Sequence, residues 1–270
     1  MAAPALNGSV VTATGTSSEN GAKTFSFDVA SSLSNSALIV CCLWEGSAYA
    51  GSTGTYNGVA MTSAFVYNAD STSQIFYLAS PDSGTHDIVL TRSGTNGSGQ
   101  FGIIAFTLTG ADVSGGFDDT DNANIGAAAS STVNYTSTVN DVYVISSVLT
   151  FRSGANTITP DGSQTQDATF VAGGDANERY AVSHKTQASS GASSMIENFS
   201  ATILFGIHSV VSVKPAASYS SSSTSTTSTS TTSSTTSSTS SSTSSSTSST
   251  TTSTSTSTST TSSTTSSTSS

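Results

Sequence analysis

Polar and apolar residues alternate cleanly along Lys23-Thr-Phe-Ser-Phe-Asp-Val29, which puts Phe25, Phe27 and Val29 on one side of an extended chain. A second pattern follows at Ala37-Leu-Ile-Val-Cys-Cys-Leu-Trp44, where no polar residue interrupts the run. Eight apolar residues in a row predict a strand buried on both faces. Tyr56-Asn-Gly-Val59 carries Asn-Gly, the strongest two-residue hairpin signal, because both central residues must accept positive φ. Strands are predicted at Gln74–Ala79, His86–Thr91 and Phe101–Thr109, with turns at Pro81–Gly84 and Gly97–Gly99. The rhythm resumes at Thr132–Thr136, Asp141–Leu149, Thr157–Thr159, Thr169–Ala172, Arg179–Lys185 and Ala201–Val213. No segment sustains a 3.6-residue period with caps. The pattern predicts an all-β, jelly-roll-like antiparallel β-sandwich over residues 1–217.

A weak internal repeat points the same way. Phe101-Gly-Ile returns as Phe205-Gly-Ile, 104 positions on, and Ala37–Leu43 matches Val142–Val148 at an offset of 105. Ser83-Gly84 precedes one pair of strands as Ser190-Gly191 precedes the other. The repeat predicts two related Greek-key halves. From Ser218 onward the chain is Ser and Thr with the single exception of Tyr219. Such a tract has no apolar area to offset chain entropy, so residues 218–270 are expected to be a disordered stalk or linker. As a flexible coil it would span about 40 Å, and extended roughly 170 Å. Ser/Thr tracts also suit O-glycosylation.

Charge removes several functions. The net charge is −10, with only 6 Lys and Arg. There is no basic footprint for nucleic acid or an anionic membrane. No apolar run approaches the roughly 20 residues of a membrane-spanning helix, so no membrane insertion is expected. The N-terminal Met-Ala-Ala-Pro-Ala-Leu-Asn-Gly lacks the charged and apolar regions of a secretory signal. Either a leader has been removed or the protein leaves the cell by another route, as a virion protein released by lysis does. Adjacent Cys41 and Cys42 point to opposite sides of a strand and are expected to be buried free thiols.

Five segments taken together carry a resemblance. They are Ala37–Glu45, Tyr56-Asn-Gly-Val-Ala-Met-Thr62, Ile75-Phe-Tyr-Leu-Ala-Ser-Pro81 with Ser83-Gly-Thr-His86, Phe101–Asp112, and Ser209-Val-Val-Ser-Val-Lys-Pro-Ala216. In this order they resemble a loosely defined family of β-sandwich domains found in bacterial surface and secreted proteins and in phage structural proteins. The likeness spans roughly residues 9–216. It implies a jelly-roll or concanavalin-like sandwich and an extracellular, cell-surface or virion setting. It implies neither a ligand nor catalytic residues.

Two groups of residues are candidate sites. Asp118, Asp119 and Asp121, with Asp112 upstream, fall in what reads as a loop after the long strand. Clustered carboxylates in a turn suit Ca²⁺, which takes oxygen ligands in variable geometry, although the spacing is not that of an EF-hand. Trp44 and Glu45 end the most apolar strand, and Tyr49 and Tyr56 flank a Gly-rich segment. An aromatic platform beside a carboxylate suits a sugar, so these four are the expected ligand-binding residues. Glu19, Glu45, Glu178 and Glu197 are the only Glu, and no two share a strand face as a glycosidase pair would if it were local. His86, His184 and His208 lie in no metal-binding spacing, and there is no Gly-x-Ser-x-Gly elbow. Sequons occur at Asn7, Asn96, Asn134 and Asn198.

The expected function is therefore a non-enzymatic extracellular or virion surface module for adhesion, binding glycan or another cell-surface ligand. The stalk would allow multivalent display. The alternatives are a self-assembling structural subunit, a homo-oligomer joined through edge strands that lack Lys, and a glycan-active hydrolase working through Glu45 or Glu178.

Overall fold

The continuous apolar run at 37–44 and the largely apolar segment at 142–151 become the middle strands of two sheets. A computed structural model describes residues 2–17, 22–31, 33–45, 52–68, 71–91, 99–151, 154–171 and 177–217. The Ser/Thr tract lies outside the described residues. The first half contains β1 (Ala5–Ser17), β2 (Ala22–Val29), β3 (Ala37–Glu45), β4 (Thr53–Tyr56), β5 (Val59–Ala60), β6 (Thr62–Asn68), β7 (Ser71–Ala79), β8 (Gly84–Thr91) and β9 (Gly99–Thr109). A short β10 (Ala111–Asp112) leads into the second half. That half contains β11 (Asp119–Ile125), β12 (Ser130–Ser137), β13 (Val142–Phe151), β14 (Ile158–Pro160), β15 (Thr165–Val171), β16 (Glu178–Gln187), β17 (Gly191–Phe199) and β18 (Phe205–Pro215). Every pairing is antiparallel.

Each half is a complete sandwich, and the two have the same topology. The larger sheet of the first runs β1-β9-β3-β7-β6, and that of the second runs β11-β18-β13-β16-β15, with the short β10 also paired to the end of β18. The smaller sheets run β2-β8-β4-β5 and β12-β17-β14. The all-β, jelly-roll-like fold expected from the sequence is present twice. The expected Greek-key halves of one sandwich are instead two whole sandwiches.

Their larger sheets pack against each other, making four layers. Leu38, Val40, Cys42 and Trp44 of β3 pack with Phe27, Val29, Tyr56, Ile88 and Leu90 of the first small sheet. The alternate residues Ala37, Ile39 and Cys41 pack with Tyr143, Ile145, Val182, Val211 and Val213 of the second sandwich. On the far side, Val142 and Val144 of β13 meet Val133, Tyr135 and Met195 of the second small sheet. Both large sheets are thus covered on both faces, which is why β3 and β13 lack alternation.

The turns follow local chemistry. Asn57 (φ 49°) and Gly58 (φ 76°) form the anticipated hairpin between β4 and β5. Gly84 (φ 103°) and Gly191 (φ 129°) open β8 and β17, equivalent strands of the two halves. The literal repeats are one residue out of structural register. Phe101 faces the small sheet of its own sandwich, whereas Phe205 packs with Leu43 and Leu149 between the sandwiches. A one-residue slip exchanges the faces of a strand, so the topology repeats while the Phe-Gly-Ile match does not.

Candidate functional site

The expected aromatic platform is core. Trp44 is 1% exposed, packed in the first sandwich with its ring 5.7 Å from Phe101. An indole so placed has no face for a sugar. Tyr56 is 0% exposed, edge-on to Phe27 and His86. Its hydroxyl donates to the carbonyls of Asp82 (3.1 Å) and Gly84 (3.0 Å), tying the hairpin to the start of β8. Burial, with Asp28 and Asp82 nearby, pushes this phenol up to about 12. Glu45 ends β3 opposite Ser71, with its side chain outside the described residues, and Tyr49 lies outside them altogether.

The acidic cluster does not form a loop. Asp119 and Asp121 belong to β11, an edge strand paired to β18. Asp112 Oδ1 accepts the N–H (3.0 Å) and hydroxyl (2.6 Å) of Ser114, which hold its carboxyl below the usual range. Asp118 accepts the backbone N–H of Thr138 at 2.7 Å and the Thr138 hydroxyl. Asp119 accepts the backbone N–H of Thr136 at 2.5 Å. Among the described residues no three His, Cys, Asp or Glu converge as metal ligands do. Asp118 and Asp119 instead occupy donors just past the end of β12 and on its free edge, bridging the large and small sheets of the second sandwich.

Beside that bridge is an open groove of about 430 Å³, lined by Asp119, Asp121, Asn134, Thr136, Ser193 and Ser194. Asp121 and Asn134 are exposed. Tyr135 forms part of its wall, with the Lys185 ammonium 5.4 Å from the ring centroid. Lys185 donates to Ser193 Oγ (2.9 Å) and to the Ser194 carbonyl (2.5 Å), and burial holds its pKa below the usual lysine range. The groove offers carboxylate, amide and hydroxyl groups and a buried rather than protruding ring. It also contains the Asn134 sequon.

No protein-family model, curated protein or solved structure matches this chain.

Several further titratable residues are buried or half-buried. Glu178 is 3% exposed, its Oε2 accepting the Tyr180 hydroxyl at 3.2 Å. His184 lies 2.8 Å from Asp167 and stacks on Tyr143 at 4.6 Å. His86 contacts the Ser83 carbonyl at 3.1 Å. Cys41 and Cys42 are fully buried free thiols; burial raises both, Cys41 to about 12.

Sequence reasoning missed a polar network inside the second sandwich. Glu197, 0% exposed, accepts from Ser146 Oγ (2.9 Å), Ser183 Oγ (2.5 Å) and Gln164 Nε2 (3.3 Å), all at Oε1. Ser146 Oγ also lies 2.9 Å from His208 Nε2, and His208 Nδ1 lies 3.0 Å from Ser131 Oγ. This is not a hydrolytic triad, because the carboxylate meets the serine rather than the far side of the imidazole. Its one signal in the sequence was a lone Glu and a lone His, each within a strand.

Proposed function

We propose that the protein is a non-enzymatic surface module, extracellular or on a virion, that adheres to glycan through the groove between β11, β12 and β17. The observation that carries this reading is the groove's lining. Asp121, Asn134, Ser193 and Ser194 offer acceptors and donors spaced along an open surface, the chemistry that recognises sugar hydroxyls. Contacts of this kind are individually weak, which suits display in several copies on the Ser/Thr stalk. The resemblance of the strands to bacterial surface and phage sandwiches supports the setting.

Burial of Glu178 and Glu197 speaks against a glycosidase pair built on them, since a carboxyl pair must reach the scissile bond. Three edge strands of the large sheets are shaped against assembly by strand addition. β1, β6 and β15 each carry a register shift, between Asn7 and Val11, Ser63 and Phe65, and Gln166 and Ala168. Bulges of this kind blunt an edge without lysines.

The test is a glycan and whole-cell binding screen of the full chain, with Ca²⁺ and with chelator. Binding lost in Asn134→Ala and Asp121→Ala, with the fold retained, supports the groove. Loss in chelator adds Ca²⁺ to it. A folded, monodisperse chain that binds nothing sinks the adhesion reading, and concentration-dependent assembly would favour a structural subunit.

A further inference from the structure

A sandwich core has no need of a carboxyl group, and the first sandwich shows this. Glu197 lies six residues after the positive-φ Gly191 that opens β17; six residues after Gly84 in the equivalent β8 stands Leu90, equally buried. Burying a carboxylate is unfavourable unless its oxygens are well bonded. Here Oε1 takes three donors, and Oε2 has no hydrogen-bond partner among the described residues. Burial accordingly raises the Glu197 pKa.

What Glu197 touches is a nucleophile and an electrophile. Ser183, 0% exposed, donates to Glu197 Oε1 at 2.5 Å. Ser183 Oγ also accepts an N–H of Gln164 Nε2 at 3.2 Å. An amide C–N bond is about 1.33 Å, so the Gln164 carbonyl carbon lies within about 4.5 Å of that hydroxyl. The backbone of Ile196 holds the amide at both ends. Its N–H donates to Gln164 Oε1 at 2.7 Å, and its carbonyl accepts from Nε2 at 3.1 Å. This pairing fixes which end of the amide is oxygen, and it aims an N–H donor at the oxygen where charge would develop on attack.

We propose that Ser183 and Gln164 react with each other, joining Ser183 Oγ to the Gln164 side-chain carbonyl carbon as an ester, with Glu197 carrying the proton. Glu197 Oε1 takes the Ser183 proton as Oγ attacks. The Ile196 N–H holds the resulting oxyanion. Glu197, 3.3 Å from Nε2, returns the proton to nitrogen, the C–N bond breaks and ammonia leaves. One O–C bond replaces one N–C bond, and no oxidant or reductant is needed. Attack requires Oγ to close to about 3–3.5 Å from the Gln164 carbonyl carbon, and holding the partners in place then substitutes for high concentration. Ser183 and Glu197 are fully buried, and Gln164 is half-buried in the turn before β15. Ser146, bonded to both Glu197 and His208, is a positioning residue. The ester would staple β16 to the turn before β15, beside the small sheet, giving a stalked surface domain a covalent brace independent of any glycan.

The experiment is intact-mass spectrometry of the full chain, made without glycosylation, followed by peptide mapping. The expected mass is lower than the sequence mass by one ammonia, with one linked peptide pair containing Gln164 and Ser183 that hydroxylamine separates. Ser183→Ala and Glu197→Leu, the latter copying Leu90 of the first sandwich, should both restore the full sequence mass. Circular dichroism confirms that each variant is folded. A folded wild-type chain at its full sequence mass, or a mass loss that persists in Ser183→Ala, overturns the proposal.

Discussion

The Asp119 carboxylate accepts the backbone N–H of Thr136 at 2.5 Å, from an edge strand of one sheet to the edge of another. Two residues on, Thr138 N–H goes to Asp118. The side chains that read as Ca²⁺ ligands thus do the work of a missing neighbour strand. Asp118→Ala and Asp119→Ala should each destabilise the fold by about 1 kcal/mol, the size of a partly exposed hydrogen bond to a charged group. The denaturant midpoint should fall with an unchanged slope. The double variant frees the Thr136 and Thr138 donors at the end of β12 and should associate as concentration rises, visible by sedimentation.

His208 gives the domain an acid-sensitive core. It is 0% exposed, and burial lowers its pKa from 6.5 to about 3. The folded state keeps the ring neutral while the unfolded chain binds a proton below pH 6.5. Stability from this group is therefore present above pH 6.5 and lost as pH falls toward 3, by about 1.4 kcal/mol per pH unit. Glu197 acts in the opposite sense, since its raised pKa favours the folded state at low pH and disfavours it as pH rises. His208→Gln should flatten the loss between pH 6.5 and 4 relative to wild type. Urea midpoints at three pH values would measure it, and parallel curves for the two proteins would refute it.

Strands with a continuous or alternating apolar face were legible in the sequence, and edge strands poor in apolar residues were not. β2 shows its alternation through Phe25, Phe27 and Val29, β3 shows burial on both faces by having no polar break, and β13 is apolar at seven of its ten positions. β11, Asp-Thr-Asp-Asn-Ala-Asn-Ile, reads as an acidic loop because an edge strand with one solvated face needs few apolar residues. β1, rich in Gly, Asn, Ser and Thr, was missed for the same reason. Trp44 was misread although the signal was there. A strand without alternation has no exposed face to offer, so a tryptophan within it belongs to the core. The Glu197 network could not be read, because Ser146, Ser183 and Gln164 come from three elements that only the fold brings together.

The face-to-face packing of the two sandwiches depends on a glycine. A Cβ at Gly102 of β9 would collide with the ring of Tyr180 on β16, in the opposite sandwich. Tyr180 is fully buried, stacked on Phe170 at 5.2 Å, and cannot swing away. Gly102→Ala should cost about 1–3 kcal/mol, the range for overpacking a tight interior. Gly126→Ala, where a Cβ meets nothing within 4 Å, is the control and should change little. Equal midpoints for the two variants would argue against the four-layer arrangement.

Trp44 is the chain's single tryptophan, so its fluorescence reports on the first sandwich. Buried against Phe101, it should emit in the blue and resist quenching by iodide or acrylamide in the folded state, then shift red on unfolding. Trp44→Ala removes the largest fully buried side chain and should cost about 3–5 kcal/mol, with Trp44→Phe losing less. The thiols provide an independent clock. Cys41 packs between the sandwiches and Cys42 inside the first, both in β3 with Trp44. Burial raises both thiols, so neither should react with a thiol reagent at pH 8 until the strand is exposed. Thiol labelling and the fluorescence shift should then share one denaturant midpoint. Rapid labelling of the native protein would show that β3 is not the centre of a sheet covered on both faces.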